Sequence, residues 1–172
     1  MTPVHAAVTG PADAVWAALR EVPDPEVPVI SVVELGIVRD VVVNGASVIV
    51  TVTPTYSGCP AMREIERDIV AALAERGFSD VTVRTTYAPA WTTDWIDAEA
   101  REKLRAYGIA PPGSPGPVQG PDLIPIRRRR TVPCPYCASK QTTLRSAFGS
   151  TACKAIHFCD ACRQPFEEFK AI

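Results

Sequence analysis

Two pairs of cysteines near the end of the chain constrain its fold more than any other feature. Cys134 and Cys137 lie in the sequence CPYC. Cys159 and Cys162 lie in CDAC, with 21 residues between the two pairs. Each C-x-x-C turn presents two thiolates from one tight loop, and four thiolates are a ligand set of tetrahedral zinc. We therefore predict a structural Zn²⁺ on these four cysteines, with an iron–sulfur cluster on the same thiolates as the less favoured alternative.

The tail around these pairs is too short to fold on apolar burial alone. Residues 131–172 make a unit of about 40 residues, and units of that size generally need a metal, a disulfide or a partner. Short strands are predicted at 142–148, 155–158 and 165–170. A small core is expected from four aromatic residues: Phe148, Phe158, Phe166 and Phe169. The bound metal is expected to supply the missing folding free energy.

Four further residues of the tail carry smaller expectations. Ala138 and Arg163 follow the two C-x-x-C turns, where glycine is common, so we expect a strained, positive φ at both. Cys153 fits neither pair and is expected to be a small buried side chain. His157 is expected at the surface, because the four cysteines already complete a metal site.

The chain has no pattern of a secretory signal at its start and no run of about 18 apolar residues. We therefore expect a cytoplasmic protein with reduced thiols and no membrane span. The net charge is −1, but it is unevenly distributed. Residues 1–109 contain nine Lys/Arg and fifteen Asp/Glu, whereas residues 110–172 contain nine and four. The two halves, at −6 and +5, could attract one another or meet different partners.

A proline-rich segment separates the acidic and the basic half. Residues 110–126 contain six prolines and three glycines, which is typical of a partly extended linker. The run Arg127–Arg130 follows and indicates a surface for an acidic partner, with nucleic acid as a less favoured alternative. The predicted organisation is a domain at 1–109, a linker with the arginine run at 110–130, and a zinc ribbon at 131–172.

Hydrophobic periodicity predicts the order α-β-β-α-β-α in the first domain, an α+β fold with a three-stranded sheet. The predicted helices are 12–22, 60–76 and 94–107, and the predicted strands are 37–43, 47–53 and 81–87. Asn44 and Gly45 predict a hairpin turn between the first two strands. Gly77 is expected to end the second helix.

Cys59 is a single cysteine in the sequence TPTYSGCPA. Proline is favoured at the first position of a helix, so Pro60 predicts Cys59 as the residue that caps the second helix. The helix dipole would then favour a thiolate. A structural cysteine is the alternative, although the hydroxyls of Thr53 and Thr55 could line a polar site beside the sulfur.

Asp24 and Glu26 lie in a proline-flanked loop, DPEVP. Spacing alone favours solvated carboxylates in a turn, with oxygen ligands beside Cys59 as the alternative. Trp91 and Trp95 are expected in the core. No Ser/His/Asp set and no glycine-rich phosphate loop is present, so independent catalysis is not expected.

Several motifs resemble a family of small Fe–S assembly factors that includes SufT and the cytosolic Fe–S targeting proteins. The similarity rests on DPEVPVISVVELGIVRDV at 24–41 and on TPTYSGCPA at 53–61. AWTTDWI at 90–96, the linker, and FGSTACKA, CDAC and PFEEFK within 148–170 extend it over most of the chain. These last motifs resemble family members that are encoded with the phenylacetyl-CoA epoxidase and carry a zinc ribbon.

The resemblance implies an accessory factor that matures the epoxidase in phenylacetate catabolism and is not itself a catalyst. It implies as partners the Fe–S assembly machinery and two epoxidase components, a di-iron oxygenase and a reductase with flavin and a [2Fe–2S] cluster. It assigns Cys59 as a reactive thiol or a transient ligand of iron or an Fe–S cluster. It assigns Asp24 and Glu26 to a supporting loop.

Two other functions stay open at this point. The chain could be a stoichiometric subunit of the epoxidase, or a zinc ribbon that binds nucleic acid. The second is less favoured because the first domain is net acidic. A second copy of the chain is a further candidate partner.

Overall fold

The computed structural model describes residues 10–113 and 131–171. Its contacts divide the chain into two units, Met1–Ala90 and Trp91–Ile172. The linker prediction beyond residue 113 and the run Arg127–Arg130 lie outside the described residues. Within the described parts of the chain, no helix is long and apolar enough to cross a membrane.

The first unit packs two helices on one face of a three-stranded sheet. The helices are α1 (Pro11–Leu19) and α2 (Met62–Glu75), and the strands are β1 (Val38–Asn44), β2 (Ser47–Val52) and β3 (Asp80–Thr85). β1 and β2 are antiparallel, and β3 lies parallel to β2 after the crossover through α2. Apolar residues of both helices and of β2 form the core: Val15, Leu19, Val48, Val50, Val52, Ile65, Ile69 and Leu73.

Local sequence signals explain where these elements turn and stop. Asn44 pairs with Ser47 across a two-residue turn in which Gly45 has φ +62°, so the predicted hairpin is confirmed. Gly77 has φ +89° and follows the last turn of α2. The Phe78 N–H donates to the Leu73 carbonyl (3.1 Å), which closes the helix end as a glycine-terminated cap.

The second unit contains a four-stranded sheet in the order β4-β7-β6-β5. Its elements are a short 3₁₀ turn (Thr93–Trp95), α3 (Ala98–Tyr107), β4 (Ile109–Ala110), β5 (Thr142–Ser146), β6 (Lys154–Cys159) and β7 (Pro165–Phe169). Asp97 caps α3 through its side chain, which accepts the Ala100 N–H (2.7 Å). The predicted single helix at 94–107 is therefore interrupted between the 3₁₀ turn and α3.

The α+β class with a cysteine-bearing ribbon is confirmed, but α3 groups with the tail. Ile109 pairs with Glu167 and Ala110 with Glu168, in parallel register. Trp91, predicted as core, is buried. Contacts between Cα atoms place residues 91–113 in the same unit as the ribbon. That residues 1–109 fold independently as one domain stays a prediction.

The aromatic core predicted for the ribbon is only partly correct. Phe166 and Phe169 are buried, whereas Phe148 is 68% exposed and Phe158 is half-buried. A small buried cluster instead contains cysteines and aliphatic residues: Ala110, Val132, Cys134, Cys159 and Phe166. Phe148 is thus left at the surface, and Phe158 is only partly covered.

Candidate functional site

The structure brings four thiols of the second unit into one group. The ligand atoms of Cys134, Cys137, Cys159 and Cys162 all lie within 4.8 Å of one another. The sulfur of Cys134 lies 3.7 Å from that of Cys162, and the sulfurs of Cys137 and Cys159 are 3.6 Å apart. A tetrahedral ion with bonds of about 2.3 Å to sulfur needs sulfurs about 3.8 Å apart. The spacing of this group therefore fits one tetrahedral metal ion.

The two C-x-x-C turns have the same backbone hydrogen bonds. The Ala138 N–H donates to the Cys134 carbonyl, and the Arg163 N–H donates to the Cys159 carbonyl, both at 2.9 Å. Ala138 has φ +59° and Arg163 φ +64°, so the predicted positive φ is confirmed at both positions. A residue with a Cβ is strained in this left-handed conformation. The contacts around each turn therefore maintain an unfavourable backbone conformation at these two residues.

Backbone donors inside the turns favour the thiolate form most clearly at Cys159. Amide groups of Cys162 and Ala161 donate towards the Cys159 sulfur and lower the pKa of that thiol to about 7, against the opposing effect of burial. At Cys134 burial raises the pKa of the thiol, and amide groups of Cys137 and Tyr136 act against it; burial also raises the pKa of Cys162, to about 12. A metal binds the thiolate form, so these donors prepare the group for a cation.

Cys153 and His157 do not belong to this group. Cys153 is buried, as predicted, and its sulfur lies 3.0 Å from the Thr151 hydroxyl. The expectation that His157 is a surface residue is wrong. His157 is buried, its ring stacks on Phe166 at 5.4 Å between centroids, and its Nε2 lies 2.9 Å from a Glu168 carboxylate oxygen. Alternation along β6 places this side chain on the buried face.

Cys59 in the first unit lies in a tight loop before α2. The helix begins at Met62 with Ala61 as its N-cap, so the prediction that Cys59 caps the helix is wrong. Pro60 and Ala61 instead form a turn, in which the Met62 N–H approaches the Cys59 carbonyl (3.4 Å). Gly58 has φ +97°, which lets the chain bend immediately before the cysteine.

The environment of Cys59 favours the protonated thiol over the bare thiolate. Burial raises the pKa of the Cys59 thiol, and the carboxylates of Glu26 and Asp24 raise it further. Hydrogen bonds from the Ala61 amide and the Thr55 side chain act in the opposite direction. The expected lowering of this pKa by the helix dipole is therefore wrong, because desolvation and two negative charges outweigh the donors.

The loop that contains Asp24 and Glu26 lies beside Cys59. Asp24 is buried, and its Oδ1 accepts the N–H groups of Glu26 (2.9 Å) and Val27 (2.8 Å). The Asp24 N–H donates to the Ile30 carbonyl (2.9 Å), so the loop is closed on itself. The interpretation of Asp24 as a solvated carboxylate is wrong, since this side chain organises the loop from inside.

One buried hydroxyl follows β2 on the way to Cys59. Thr53 is 1% exposed, and its Oγ1 is the single buried side-chain polar atom among the described residues without a hydrogen-bond partner. Its N–H donates to the Ile37 carbonyl (2.8 Å), which holds the start of the loop against β1. Thr53 and Thr55 were expected to line a polar site, and Thr55 does bond the thiol.

Comparison with known proteins matches the two halves of the chain to two different family profiles. Residues 12–85 match the profile of a family described as iron-sulfur cluster assembly protein, and residues 120–170 match the PaaD zinc beta ribbon domain. A protein of Escherichia coli (strain K12), named as one of the subunits of 1,2-phenylacetyl-CoA epoxidase, is 49% identical over 92% of each chain.

Two further relatives resemble the first half of the chain. An Fe-S protein maturation auxiliary factor of Porphyromonas gingivalis (strain ATCC BAA-308 / W83) is 38% identical over 50% of this chain and 83% of its own length. The crystal structure of a domain of unknown function, DUF59, from Bacillus anthracis covers 54% of this chain and 89% of its own. That domain superposes with a TM-score of 0.51 at 27% identity.

Proposed function

Because the chain belongs to the PaaD family of phenylacetyl-CoA epoxidase proteins, we propose that it is an accessory factor in the maturation of that epoxidase. Its cargo is iron or an Fe–S cluster, which it holds transiently and passes to the oxygenase or reductase component. The similarity of residues 12–85 to iron-sulfur cluster assembly proteins supports this proposal. The partners are these two components and the Fe–S assembly machinery of the cytoplasm.

One observation carries the proposal: the half-buried Cys59 thiol lies within electrostatic reach of two carboxylates, Asp24 and Glu26. The same negative charges that oppose a bare thiolate favour a cation at the sulfur. An arriving iron centre takes the place of the thiol proton, which leaves to solvent as the iron–sulfur bond forms. Release reverses this exchange when the client offers a stronger ligand set.

This arrangement suits transfer better than storage. One thiol with carboxylates near it is a sparse ligand set for iron, so the cargo retains positions for ligands of the client. Independent thiol catalysis is a weaker interpretation. No histidine lies within residues 10–113, so an imidazole base is not available beside Cys59 there.

We propose Zn²⁺ as the metal of the four-thiol group, with a structural role. Four cysteines leave no open coordination position, which is the pattern of structural rather than catalytic zinc. The ion would tie Cys134 and Cys137 to the strand that ends at Cys159. With four thiolates the site would carry a net double negative charge, and Arg163 directly follows Cys162 in the sequence.

The test is a Cys59→Ser variant expressed with the epoxidase components. We expect the variant to fold and keep its tail metal, while the iron and sulfide content of the reductase or the iron content of the oxygenase falls. The Cys153→Ser variant is the matched control for a buried thiol outside both sites. Normal metal content and activity of the client with Cys59→Ser would contradict the proposal.

The name of the Escherichia coli relative favours a second function, that of a stoichiometric component of the epoxidase. Reconstitution separates the two. If fully metallated oxygenase and reductase need one equivalent of this chain for turnover, it is a stoichiometric component. If they turn over without it, the chain acts only before the enzyme is complete.

A further inference from the structure

The sheet of the first unit has an open edge at β3. Among the described residues, β3 (Asp80–Thr85) pairs with β2 alone. The Thr86 N–H donates to the Val52 carbonyl (2.8 Å), which fixes the direction of alternate backbone groups along the strand. Because these directions alternate, the N–H and C=O groups of Val81 and Val83 point away from β2. The described residues supply no partner for these four groups.

Neither a proline nor a bulge protects this edge, and its two charged residues, Asp80 and Arg84, are of opposite sign. Residues 80–85 contain no proline and no bulge, and their ladder with β2 is regular over six residue pairs. Exposed edges of this kind readily accept another strand. The question is therefore which strand the side chains of β3 fit.

The side chains of β3 complement those of β3 in a second copy of the chain that runs antiparallel to it. The sequence DVTVR at 80–84 has an acid at one end, a base at the other, and two valines around Thr82. In an antiparallel pair of copies centred on Thr82, Asp80 of each copy lies opposite Arg84 of the other. In the same register Val81 of each copy lies opposite Val83 of the other, and the backbone groups of both valines point outwards.

The two faces of the strand separate these contacts. Val81 and Val83 are half-buried and pair with the buried residues Val48 and Val50 of β2, so they lie on the core side of the sheet. Exposed side chains occupy the other face: Asp80, Thr82 and Arg84. Asp80 is held there by the hydroxyl of Ser47, which donates to its carboxylate. Charged and apolar contacts would thus form on opposite faces of a joined sheet.

A shallow groove of about 430 Å³ lies between α2 and this edge. It is lined by two valines and three charged residues of both signs: Arg63, Glu66, Arg67, Val70 and Val83. Val70 is 40% exposed although it is apolar. If the sheet of a second copy continued from β3, that copy would cover Val70. Its own charged groove residues would then face Arg63, Glu66 and Arg67.

We propose that two copies of the chain associate through β3, antiparallel about a twofold axis at Thr82, into one six-stranded sheet. Val81 and Val83 exchange four N–H···O=C hydrogen bonds with their counterparts in the second copy. Asp80 and Arg84 form two ion pairs across the axis, directly opposite one another. The same patch serves on both copies, so the assembly closes at two.

Charge reversal tests this register in the full chain. Asp80→Arg places two arginines opposite one another in each half of the pair, and Arg84→Asp places two carboxylates there. Each single variant should raise the dimer dissociation constant about tenfold or more, because like charges oppose across the strands. An equimolar mixture of the two variants should form heterodimers, since every contact is then between opposite charges. The double variant should dimerise as the original chain does.

Sedimentation velocity over a range of concentrations measures these constants. Asp40→Arg, an equal charge change on the exposed face of β1 at the other edge, is the matched control and should leave the constant unchanged. A monomeric original chain at high concentration would overturn the proposal. So would single variants that dimerise normally, or a mixture that stays monomeric. The Cys59→Ser variant should dimerise normally, so this result is independent of the proposed cargo.

Discussion

The indole ring of Trp91 lies 6.0 Å from the ring of Phe169, with 48° between the two planes. One residue opens the second unit, and the other ends its last strand. Both side chains are buried. The segment that follows the first sheet is therefore packed on β7, and its stability depends on the ribbon.

This contact predicts that Trp91→Ala destabilises the second unit selectively. Truncation of a buried tryptophan costs about 3–5 kcal/mol of the free energy of unfolding. Hydrogen exchange measured by mass spectrometry should show faster exchange in 91–113 and 131–171. Exchange in α2 and in the first sheet should stay unchanged.

Tyr87→Ala is the control, because Tyr87 is 62% exposed and its loss should change stability by less than about 0.5 kcal/mol. Equal protection of the second unit in Trp91→Ala and in the original chain would show that this ring contact contributes little.

The four-thiol group predicts the effect of removing one ligand. Cys162→Ser should lower the metal content below one ion per chain and make residues 131–171 sensitive to limited proteolysis, since the ion supplies much of the folding free energy. Because β4 pairs with β7, cleavage should also reach the segment before residue 113. Metal analysis and mass mapping of the fragments measure both effects.

Cys153→Ser should retain the metal and resist cleavage, because the Cys153 sulfur lies outside the four-thiol group. Loss of metal in that variant, or its retention in Cys162→Ser, would require a different ligand set.

The raised pKa of Cys59 predicts slow alkylation at neutral pH. Iodoacetamide reacts with the thiolate, so the rate at Cys59 should rise with pH and reach half its maximum above the ordinary thiol value of 9.0. Glu26→Gln removes a negative charge near the sulfur, which should lower the pKa and increase the rate at pH 8. Peptide mapping by mass spectrometry isolates this cysteine from the other five.

Glu21→Gln serves as the comparison, because it removes an exposed carboxylate that is not among the groups acting on Cys59. A Glu26→Gln rate no faster than that of Glu21→Gln would show that the Glu26 charge does not act on the thiol.

The positive φ angles of Ala138 and Arg163 predict that glycine is better at either position. Ala138→Gly should raise the resistance of the metal group to a chelator, because a residue with a Cβ pays about 1–2 kcal/mol in the left-handed region. Part of that gain is lost to the greater entropy of glycine in the unfolded chain. Metal release with a chromogenic chelator gives the rate.

Ala161→Gly changes the same residue type inside the other turn, where φ is not positive. It should speed metal release, and an equal effect of both substitutions would exclude backbone strain as the cause.

The sequence predicts those parts of the structure that depend on local chemistry. The hairpin at Asn44, the end of α2 at Gly77 and the left-handed turns at Ala138 and Arg163 each follow from a few adjacent residues. The four cysteines also come together as predicted. Each tight turn carries two of the four sulfurs, so the pattern of adjacent residues indicates the group.

Contacts between distant residues explain the predictions that are wrong. Burial raises the pKa of Cys59, and Glu26 and Asp24 raise it further although they are far away in sequence; both effects arise only once the chain has folded. His157 is buried because β7 supplies Phe166 and Glu168 around it. No periodicity within either segment contains that information. The placement of α3 with the ribbon depends likewise on a pairing between residues 109–110 and 167–168.

That last pairing has a consequence for synthesis on the ribosome. Translation proceeds from the amino end at about 5–20 residues per second, and early segments generally fold first. All three strands of the first sheet are available for pairing once Thr85 has left the exit tunnel. Ile109 and Ala110 must wait for β7, which is translated last among the strands, so the ribbon and its metal group can form only after nearly the whole chain has emerged. A chaperone or an early metal ion would therefore meet a nascent chain with a finished front half and four unassembled thiols.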